Sequence, residues 1–314
     1  MDKIDQKILA ELDASPRMSL TKLARKTLIS QQVADYRLRR LIENKKITKF
    51  GTIINLKSLG FEQYRIFFTF NSKKEYSNEK LFGYLRNKEG VYWAARIGGK
   101  YDLLIVLCVK DFEAFDVFID VFNTEFPGLI KDYKACYVLE HSFHKHQFIN
   151  YNKSIVSYGY NDLHASCDSL DFYILRNFKD NCRISALEIA QKRKISYKTI
   201  INRIKSMEKN KVILDYRLFL NSEEYKPFIL LLSYKDYSKK EEIKLISYLN
   251  GKEITQTIRL FGLWNLFVHL RVKGNEELQN FMINLRGNFN IIDNYETIPI
   301  FEDISINLLP INIF

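Results

Sequence analysis

Two groups of polar and basic side chains, in matching parts of the chain, have the chemistry needed to contact DNA. Gln and Asn can bond adenine at two atoms, Arg can do the same to guanine, and Lys or Arg can neutralise phosphates. The candidates are Lys22, Arg25, Gln31, Gln32, Tyr36, Arg39 and Arg40 in the first group and Tyr197, Lys198, Asn202 and Lys205 in the second. A single basic residue more often belongs to a solvated helix face, so the interpretation depends on the doubled pattern.

The doubling extends well beyond these residues. A shift of 166 positions aligns residues 2–50 with residues 168–216 without a gap, and pairs such as Asp5 with Asp171 and Arg37 with Arg203 are identical. Apolar positions that differ mostly stay apolar. A gapless match of polar and apolar positions together indicates a duplicated structural unit. Two copies are too few for a solenoid, so we expect each copy to be a domain pair in its own right.

The elements that position these side chains are three short helices in each copy. Apolar residues at helical spacing predict helices over 3–14, 20–26 and about 31–44, with Ser19 and Ser30 as N-caps, and Ser185 and Ser196 take the same places in copy two. The last two helices and their tight turn are typical of a helix-turn-helix, whose last helix enters the major groove. An apolar run from Ile47 predicts a small wing. Arg37 and Arg203 fall near the inward face, so we expect ion pairs with Asp5 and Asp171.

The rest of each copy has the pattern of a sheet domain. Strands are predicted over 64–70, 91–97, 102–109 and 130–139 with helices over 76–87 and 112–123, and then over 228–234, 254–260, 264–272 and 291–299 with helices over 239–250 and 275–286. The order βαββαβ is that of a ferredoxin-like unit. The predicted fold class is therefore α+β, a duplicated winged helix-turn-helix domain plus a ferredoxin-like sandwich domain.

The chain resembles the leucine-responsive/asparagine-synthase-regulator (Lrp/AsnC) family of transcription factors over nearly its whole length, twice. The resemblance rests on Asp2-x2-Asp5-x2-Ile8-Leu9, Arg17-x-Ser19, Leu23-Ala24, Ser30-x6-Arg37, Ile47 and Gly99-x2-Asp102-Leu103. It implies a DNA-binding regulator whose partner is double-stranded DNA. It also implies self-association through the sheet domains, which would make this chain a covalent pseudo-dimer.

The resemblance further implies an amino-acid effector site at the Gly-x-x-Asp turn. The residues concerned are Gly99, Tyr101 and Asp102 in copy one and Gly262 and Asn265 in copy two. Asn265 cannot offer the carboxylate that would pair with an effector's ammonium group. The alternative is a plain hairpin turn with a capping side chain, which is as well supported as the effector site in copy one and better supported in copy two.

The predicted domain boundaries follow from these patterns. They are 1–55 and 168–220 for the helix-turn-helix domains, 60–140 and 226–301 for the sheet domains, 141–167 for a linker and 302–314 for a C-terminal tail. The linker contains His141, His144, His146 and His164. A metal site there is a weaker interpretation than a polar connector, because no regular helix or Cys supports it.

Composition agrees with a nucleic-acid partner. The 314 residues include 48 Lys and Arg against 37 Asp and Glu, a net charge of +11, although a basic bias of the whole proteome would also produce this balance. No apolar run is long enough for a membrane span, no signal peptide is recognisable at the start, and the four Cys make neither a disulfide framework nor a zinc pattern. We therefore expect a cytoplasmic protein with no membrane partner, no metal and no cofactor.

We also expect a protein that is not an enzyme, since no nucleophile set, P-loop or carboxylate pair is recognisable. The alternative function is a fused enzyme similar to the siroheme decarboxylases, which also join a helix-turn-helix to this type of sheet domain in two related subunits. Arg96, Arg259 and His269 could then hold a carboxylated tetrapyrrole. A third possibility is an architectural protein that wraps DNA with little sequence preference.

Overall fold

The structure, a computed structural model, describes residues 2–71, 77–145, 155–159, 162–221, 224–250 and 254–310. The first copy contains α1 (Lys3–Ala14), α2 (Leu20–Thr27), α3 (Gln31–Glu43), β1 (Ile47–Ile54), β2 (Glu62–Phe70), α4 (Asn78–Asn87), β3 (Val91–Ile97), β4 (Leu103–Val109), α5 (Phe112–Glu125) and β5 (Ile130–His144). A short strand, β6 (Ile155–Gly159), follows. The second copy contains α6 (Ser169–Asp180), α7 (Ala186–Arg193), α8 (Tyr197–Lys209), β7 (Ile213–Leu220), β8 (Lys226–Tyr234), α9 (Lys239–Leu249), β9 (Ile254–Phe261), β10 (Leu266–Val272), α10 (Asn275–Asn288) and β11 (Ile292–Ile306).

The chain folds into two compact units, one with both helix-turn-helix domains, which we call the heads, and one with both sheet domains. The head unit comprises Met1–Asn55, His144–Val156 and Ala165–Glu223, and so contains both helix-turn-helix domains. The sheet unit comprises Leu56–Phe143, Ser157–His164 and Glu224–Phe314. No helix in the described part of the chain is long and apolar enough to cross a membrane.

The head helices begin where the sequence predicts. The Ser19 and Ser30 hydroxyls accept hydrogen bonds from backbone N–H groups of the first turns of α2 and α3, and Ser185 and Ser196 do the same for α7 and α8. The predicted N-caps are thus confirmed. Both α2 and α7 end on a residue in the left-handed conformation, at positions that the repeat aligns.

The apolar core of the first head includes residues of the second copy. Leucines and isoleucines of α1, α2 and α3 pack together with Cys182, Leu218 and Leu220 of the second copy. The predicted wings, β1 and β7, pair with each other in antiparallel fashion. Each head therefore buries apolar surface against the other, in addition to its own helices.

The sheet unit differs from the predicted pair of separate sandwiches. Each half has the strand order last-first-third-second, which is β5-β2-β4-β3 in one half and β11-β8-β10-β9 in the other. The two halves join edge to edge, β11 with β3 and β5 with β9, so that the sheet closes on itself, and β6 adds to the edge of β5. The fold is mixed α+β with winged helix-turn-helix domains.

The closure has a local cause. The final strand of each half, β5 or β11, is 15 residues long, which lets it pair inside its own half and then with the other half. Consequently residues 141–144, predicted as linker, and residues 302–306, predicted as tail, belong to strands. Leu308 and Leu309 are buried beyond β11.

Side chains alternate between two environments along these strands. In β2, Ile66 and Phe68 join the apolar core beneath α4 and α5, and in β10, Leu266 and Val268 join the core beneath α9 and α10. The intervening residues, among them Arg65 and Phe267, face the inside of the closed sheet. The sheet unit therefore has two helix-covered cores and a separate interior.

Candidate nucleic-acid interface and effector turns

The predicted DNA-contacting side chains of α3 and α8, which we call the reading faces, lie at the surface. All of the predicted DNA-contacting residues except Arg40, which is half-buried, are exposed: Lys22, Arg25, Gln31, Gln32, Tyr36, Arg39, Tyr197, Lys198, Asn202 and Lys205. Their positions are set by the buried residues on the opposite sides of the two helices, Ala34, Leu38 and Leu41 in α3 and Ile200, Ile204 and Met207 in α8. The structure thus leaves both sets of side chains available to a duplex.

The two reading faces differ in how their basic residues are held. In α3 the Arg39 guanidinium lies 2.7 Å from the Asp35 carboxylate, one helical turn away. The repeat places Ile201 and Lys205 at the equivalent positions of α8, which have no such pair. Of the two reading faces, that of the first head therefore presents a guanidinium oriented by a carboxylate one turn away, and that of the second head does not.

Other basic residues are committed to ion pairs inside each head. Arg37 bonds Asp2 at 2.6 Å and the buried Asp5 at 2.9 Å, and Arg40 bonds the other Asp5 oxygen at 2.7 Å. The bond from Arg37 lowers the pKa of Asp2 to about 2. Arg40 is consequently a less suitable phosphate contact than Lys22 or Arg25.

The second head repeats this ion pair. Arg203 bonds Asp168 at 2.8 Å and the buried Asp171 at 3.1 Å. The ion pairs predicted for Arg37 and Arg203 are confirmed in both copies.

The two heads are related by an internal pseudo-twofold axis. The Arg17 guanidinium lies over the Tyr216 ring at 4.9 Å, and the equivalent Arg183 lies over the Phe50 ring at 5.2 Å. The repeat makes Phe50 and Tyr216 equivalent, so each arginine reaches the matching residue of the opposite wing. In the β1–β7 ladder, Gly51 faces its own equivalent, Arg217, and the axis passes between them.

The two hairpin turns of the sheet unit use their key polar residues in the same way. Asp102 Oδ2 accepts a hydrogen bond of 2.7 Å from the Phe70 N–H, and Asn265 Oδ1 accepts one of 2.8 Å from the Tyr234 N–H. Each bond ties the turn to the end of the first strand of its half. An amide performs this task as well as a carboxylate, which explains how Asn can stand at the second position.

The remaining turn residues shape the backbone around these bonds. Gly99 has φ of +83° and Gly262 has φ of +141°, both in the region that favours glycine. Tyr101 is buried, with its ring 5.2 Å from that of Phe67, and burial raises the pKa of its hydroxyl. Asp102 is exposed. Of the predicted effector residues, Asp102 is therefore the one with an accessible charge.

Sequence reasoning missed a buried polar cluster inside the closed sheet. His141, considered as a metal ligand, is fully buried and lies within hydrogen-bond distance of Gln63, Tyr158 and Gln256. His146 lies outside the described residues. Within the described ranges, no group of three His, Cys, Asp or Glu side chains could hold a metal ion. A polar residue at alternate, inward positions of an apolar strand, such as Gln63 and Arg65, was the available signal.

Comparison with known proteins gives matches to both heads. A sequence model of the AsnC-type helix-turn-helix domain matches residues 1–42, and one of a winged helix-turn-helix DNA-binding domain matches residues 168–213. The HTH-type transcriptional regulator Ptr1 of Methanocaldococcus jannaschii is 30% identical over 119 residues, which are 38% of this chain and 79% of that protein. An HTH-type regulator of Haemophilus influenzae is 26% identical over 141 residues, 44% of this chain and 83% of that protein.

A solved structure similar over the whole chain is that of the siroheme decarboxylase NirDL. It has a TM-score of 0.67 at 14% identity and covers 96% of this chain and 92% of its own. The same protein has been solved with an iron-uroporphyrin III analogue. The sequence-based expectation that the chain is not an enzyme is corrected by this likeness, because the fold shared over nearly the whole chain is that of an enzyme.

Proposed function

The chain belongs to the Lrp/AsnC family of DNA-binding transcriptional regulators, with the DNA-binding unit present twice, and we propose that its two heads read two unlike half-sites as one intramolecular pair. The observation that carries this proposal is the reciprocal contact of Arg17 with Tyr216 and of Arg183 with Phe50. A symmetric dimer of single-headed chains would present identical reading faces. Here one chain supplies both faces, and they differ.

The first head is proposed to read guanine through Arg39. Arg bonds guanine at O6 and N7. Asp35 holds the Arg39 guanidinium at 2.7 Å, so less side-chain freedom is lost when the base contact forms. Gln31 and Gln32 at the start of the same helix suit adenine, as does Asn202 in the second head. The second head, with Tyr197 and Lys198 in place of two glutamines, is expected to prefer a different sequence.

The experiment that tests the paired reading measures how many chains one site binds. A duplex of about 30 base pairs with both preferred half-sites about one helical turn apart should bind one chain and be protected over both half-sites. An Arg39→Ala change should relax the base preference in one half-site only. Protection that requires two chains per duplex would contradict the paired reading.

The sheet unit is proposed to be the regulatory part, built from two ferredoxin-like halves. The strand order within each half supports this assignment. The pairing of β11 with β3 and of β5 with β9 would then provide inside one chain the self-association that the family achieves between chains. An amino-acid effector is proposed at the Gly99–Asp102 turn, where the exposed carboxylate can pair with an ammonium group. The Gly262–Asn265 turn lacks that charge.

A second candidate function is a decarboxylase acting on a tetrapyrrole, which the whole-chain likeness to NirDL favours. The cationic candidates are engaged with the protein's own groups. Arg259 contacts Glu242 at 3.1 Å and Glu140 at 3.4 Å, and His269 Nδ1 lies 2.7 Å from the Thr255 hydroxyl. Arg96 lies 4.0 Å from Glu302 and is half-exposed, which makes it the most available of the three.

Titration of the purified chain with an iron-porphyrin tests the second candidate. A shifted Soret band that saturates at one equivalent and weakens in Arg96→Ala would support it. An unshifted band would remove it, and the DNA measurement above would be unaffected.

A further inference from the structure

Arg65 is a cation enclosed within the closed sheet. The residue lies in β2 and is 1% exposed. Its guanidinium crosses the interior and stacks on the Phe267 ring of β10, with the central carbon 4.1 Å from the ring centroid. None of the described residues accepts a hydrogen bond from its Nε or Nη1. The Phe267 ring thus covers one face of the Arg65 guanidinium, and the N–H groups on Nε and Nη1 have no acceptor among the described residues.

The groups around Arg65 do not balance its charge. Those that act on it electrostatically are the Tyr158 and Tyr92 hydroxyls and the Cys108 and Cys136 thiols, whose own pKa values burial raises, so they are neutral at physiological pH. Burial lowers the pKa of Arg65 to about 10, which still leaves it protonated. A buried charge is ordinarily paired, and stacking on one ring compensates only part of the lost hydration.

The other half of the sheet indicates that the fold itself does not require a cation at this position. In the β2–β4 and β2–β5 ladders Arg65 lies opposite Val106 and Cys136. In the matching ladders of the second half, Ile229 lies opposite His269 and Ile298. Ile229 is fully buried and faces the same interior. One half thus keeps an aliphatic residue where the other keeps an unpaired guanidinium.

We propose that the interior of the closed sheet binds a small monovalent anion, a halide or the carboxylate of a short organic acid, at Arg65. The buried Tyr158 hydroxyl, which acts electrostatically on Arg65, is a neighbouring donor that suits this ligand. The burial of the guanidinium excludes a ligand as large as a tetrapyrrole unless the sheet opens.

Thermal unfolding of the full chain tests the proposal. The melting midpoint is measured while bromide or acetate replaces gluconate, an anion too large for the enclosed interior, at constant ionic strength. A ligand bound only by the native state raises the midpoint as its concentration rises. We expect this rise in the wild type and its loss in Arg65→Ile, which copies the residue of the other half.

Arg271→Met is the matched control. Arg271 is half-buried and its charge interacts with the Asp303 carboxylate, so this variant should retain the anion-dependent rise. An equal rise in the wild type and in Arg65→Ile would overturn the proposal, because the anion would then act elsewhere. The bromide and acetate arms distinguish a halide site from a carboxylate site.

A second measurement does not depend on the folding of any variant. Wild-type crystals grown in bromide should show an anomalous peak beside the Arg65 guanidinium, or crystals grown in acetate should show a planar density there. Either result supports the proposal and identifies the preferred anion. The absence of both would overturn it.

Discussion

The carboxylate of Asp102 accepts a hydrogen bond of 2.7 Å from the backbone N–H of Phe70. The Asn265 side-chain oxygen makes the matching bond to Tyr234 in the second half. The shared feature is a side-chain oxygen that accepts this hydrogen bond and so fastens the hairpin turn to the first strand. The charge of Asp102 is additional to this task, and its function can be tested separately from the structure of the turn.

The Asp102→Asn variant separates the two roles. It should keep the bond to Phe70, and its free energy of unfolding should lie within a few tenths of a kcal/mol of the wild-type value. In Asp102→Ala the free energy of unfolding should fall by about 1 kcal/mol. If the carboxylate binds an effector's ammonium group, the rise in melting temperature that an amino acid causes should disappear in Asp102→Asn. A rise that persists in this variant would leave the turn with a structural role alone.

The buried aspartates of the two heads should respond unequally to loss of their arginines. In Arg37→Met, Asp5 keeps its bond to Arg40, whereas in Arg203→Met the buried Asp171 keeps the Asp168 N–H and loses its guanidinium. An unpaired buried carboxylate is costly, so we expect the Arg203 variant to lose about 1 kcal/mol more. Urea unfolding of both variants measures the difference, and equal losses would contradict the assignment of Arg40 to Asp5.

The salt dependence of DNA binding should identify the phosphate-contacting face. Each neutralised phosphate contributes about one unit to the slope of log affinity against log salt concentration, so Lys22→Ala with Arg25→Ala should reduce that slope by about 2. Lys26→Ala is the matched control, because Lys26 lies 2.6 Å from Glu11 and is already neutralised. If the control changes the slope as much as each of the other two substitutions, the chosen face is wrong.

His144 should make the chain less stable in mild acid. It is buried, and desolvation together with the nearby Arg217 lowers its pKa from 6.5 to about 4. Between these values the unfolded chain binds a proton that the folded chain does not, so stability falls as pH falls through this window. From pH 7 to pH 5 the loss amounts to about 2 kcal/mol. The difference in unfolding free energy between wild type and His144→Gln, measured at both pH values, should change by this amount, and a constant difference would refute the prediction.

The sequence predicts what depends on local pattern. Ser19, Ser30 and their equivalents are N-caps, and Arg37 and Arg203 pair with Asp5 and Asp171, because the spacing within one head determines these contacts. Closure of the sheet depends on register between strands more than a hundred residues apart, such as β11 with β3, and no local pattern specifies that register.

The polar residues Gln63 and Arg65 at alternate positions of β2 were visible in the sequence, but their enclosure by the fold was not. In an isolated strand, the alternation of Arg65, Ile66, Phe67 and Phe68 does not reveal which face the rest of the fold will enclose. The closed sheet covers both faces, and so the arginine that would be exposed on an open sheet becomes buried.

One chain is proposed to read two unlike half-sites. Selection of bound duplexes from a random library by the full chain tests this proposal most directly. We expect an asymmetric motif, two different half-sites about one helical turn apart, in which Arg39→Ala alters one half and Asn202→Ala alters the other. A perfect inverted repeat would contradict the account, because each head would then be paired with its own copy in another chain.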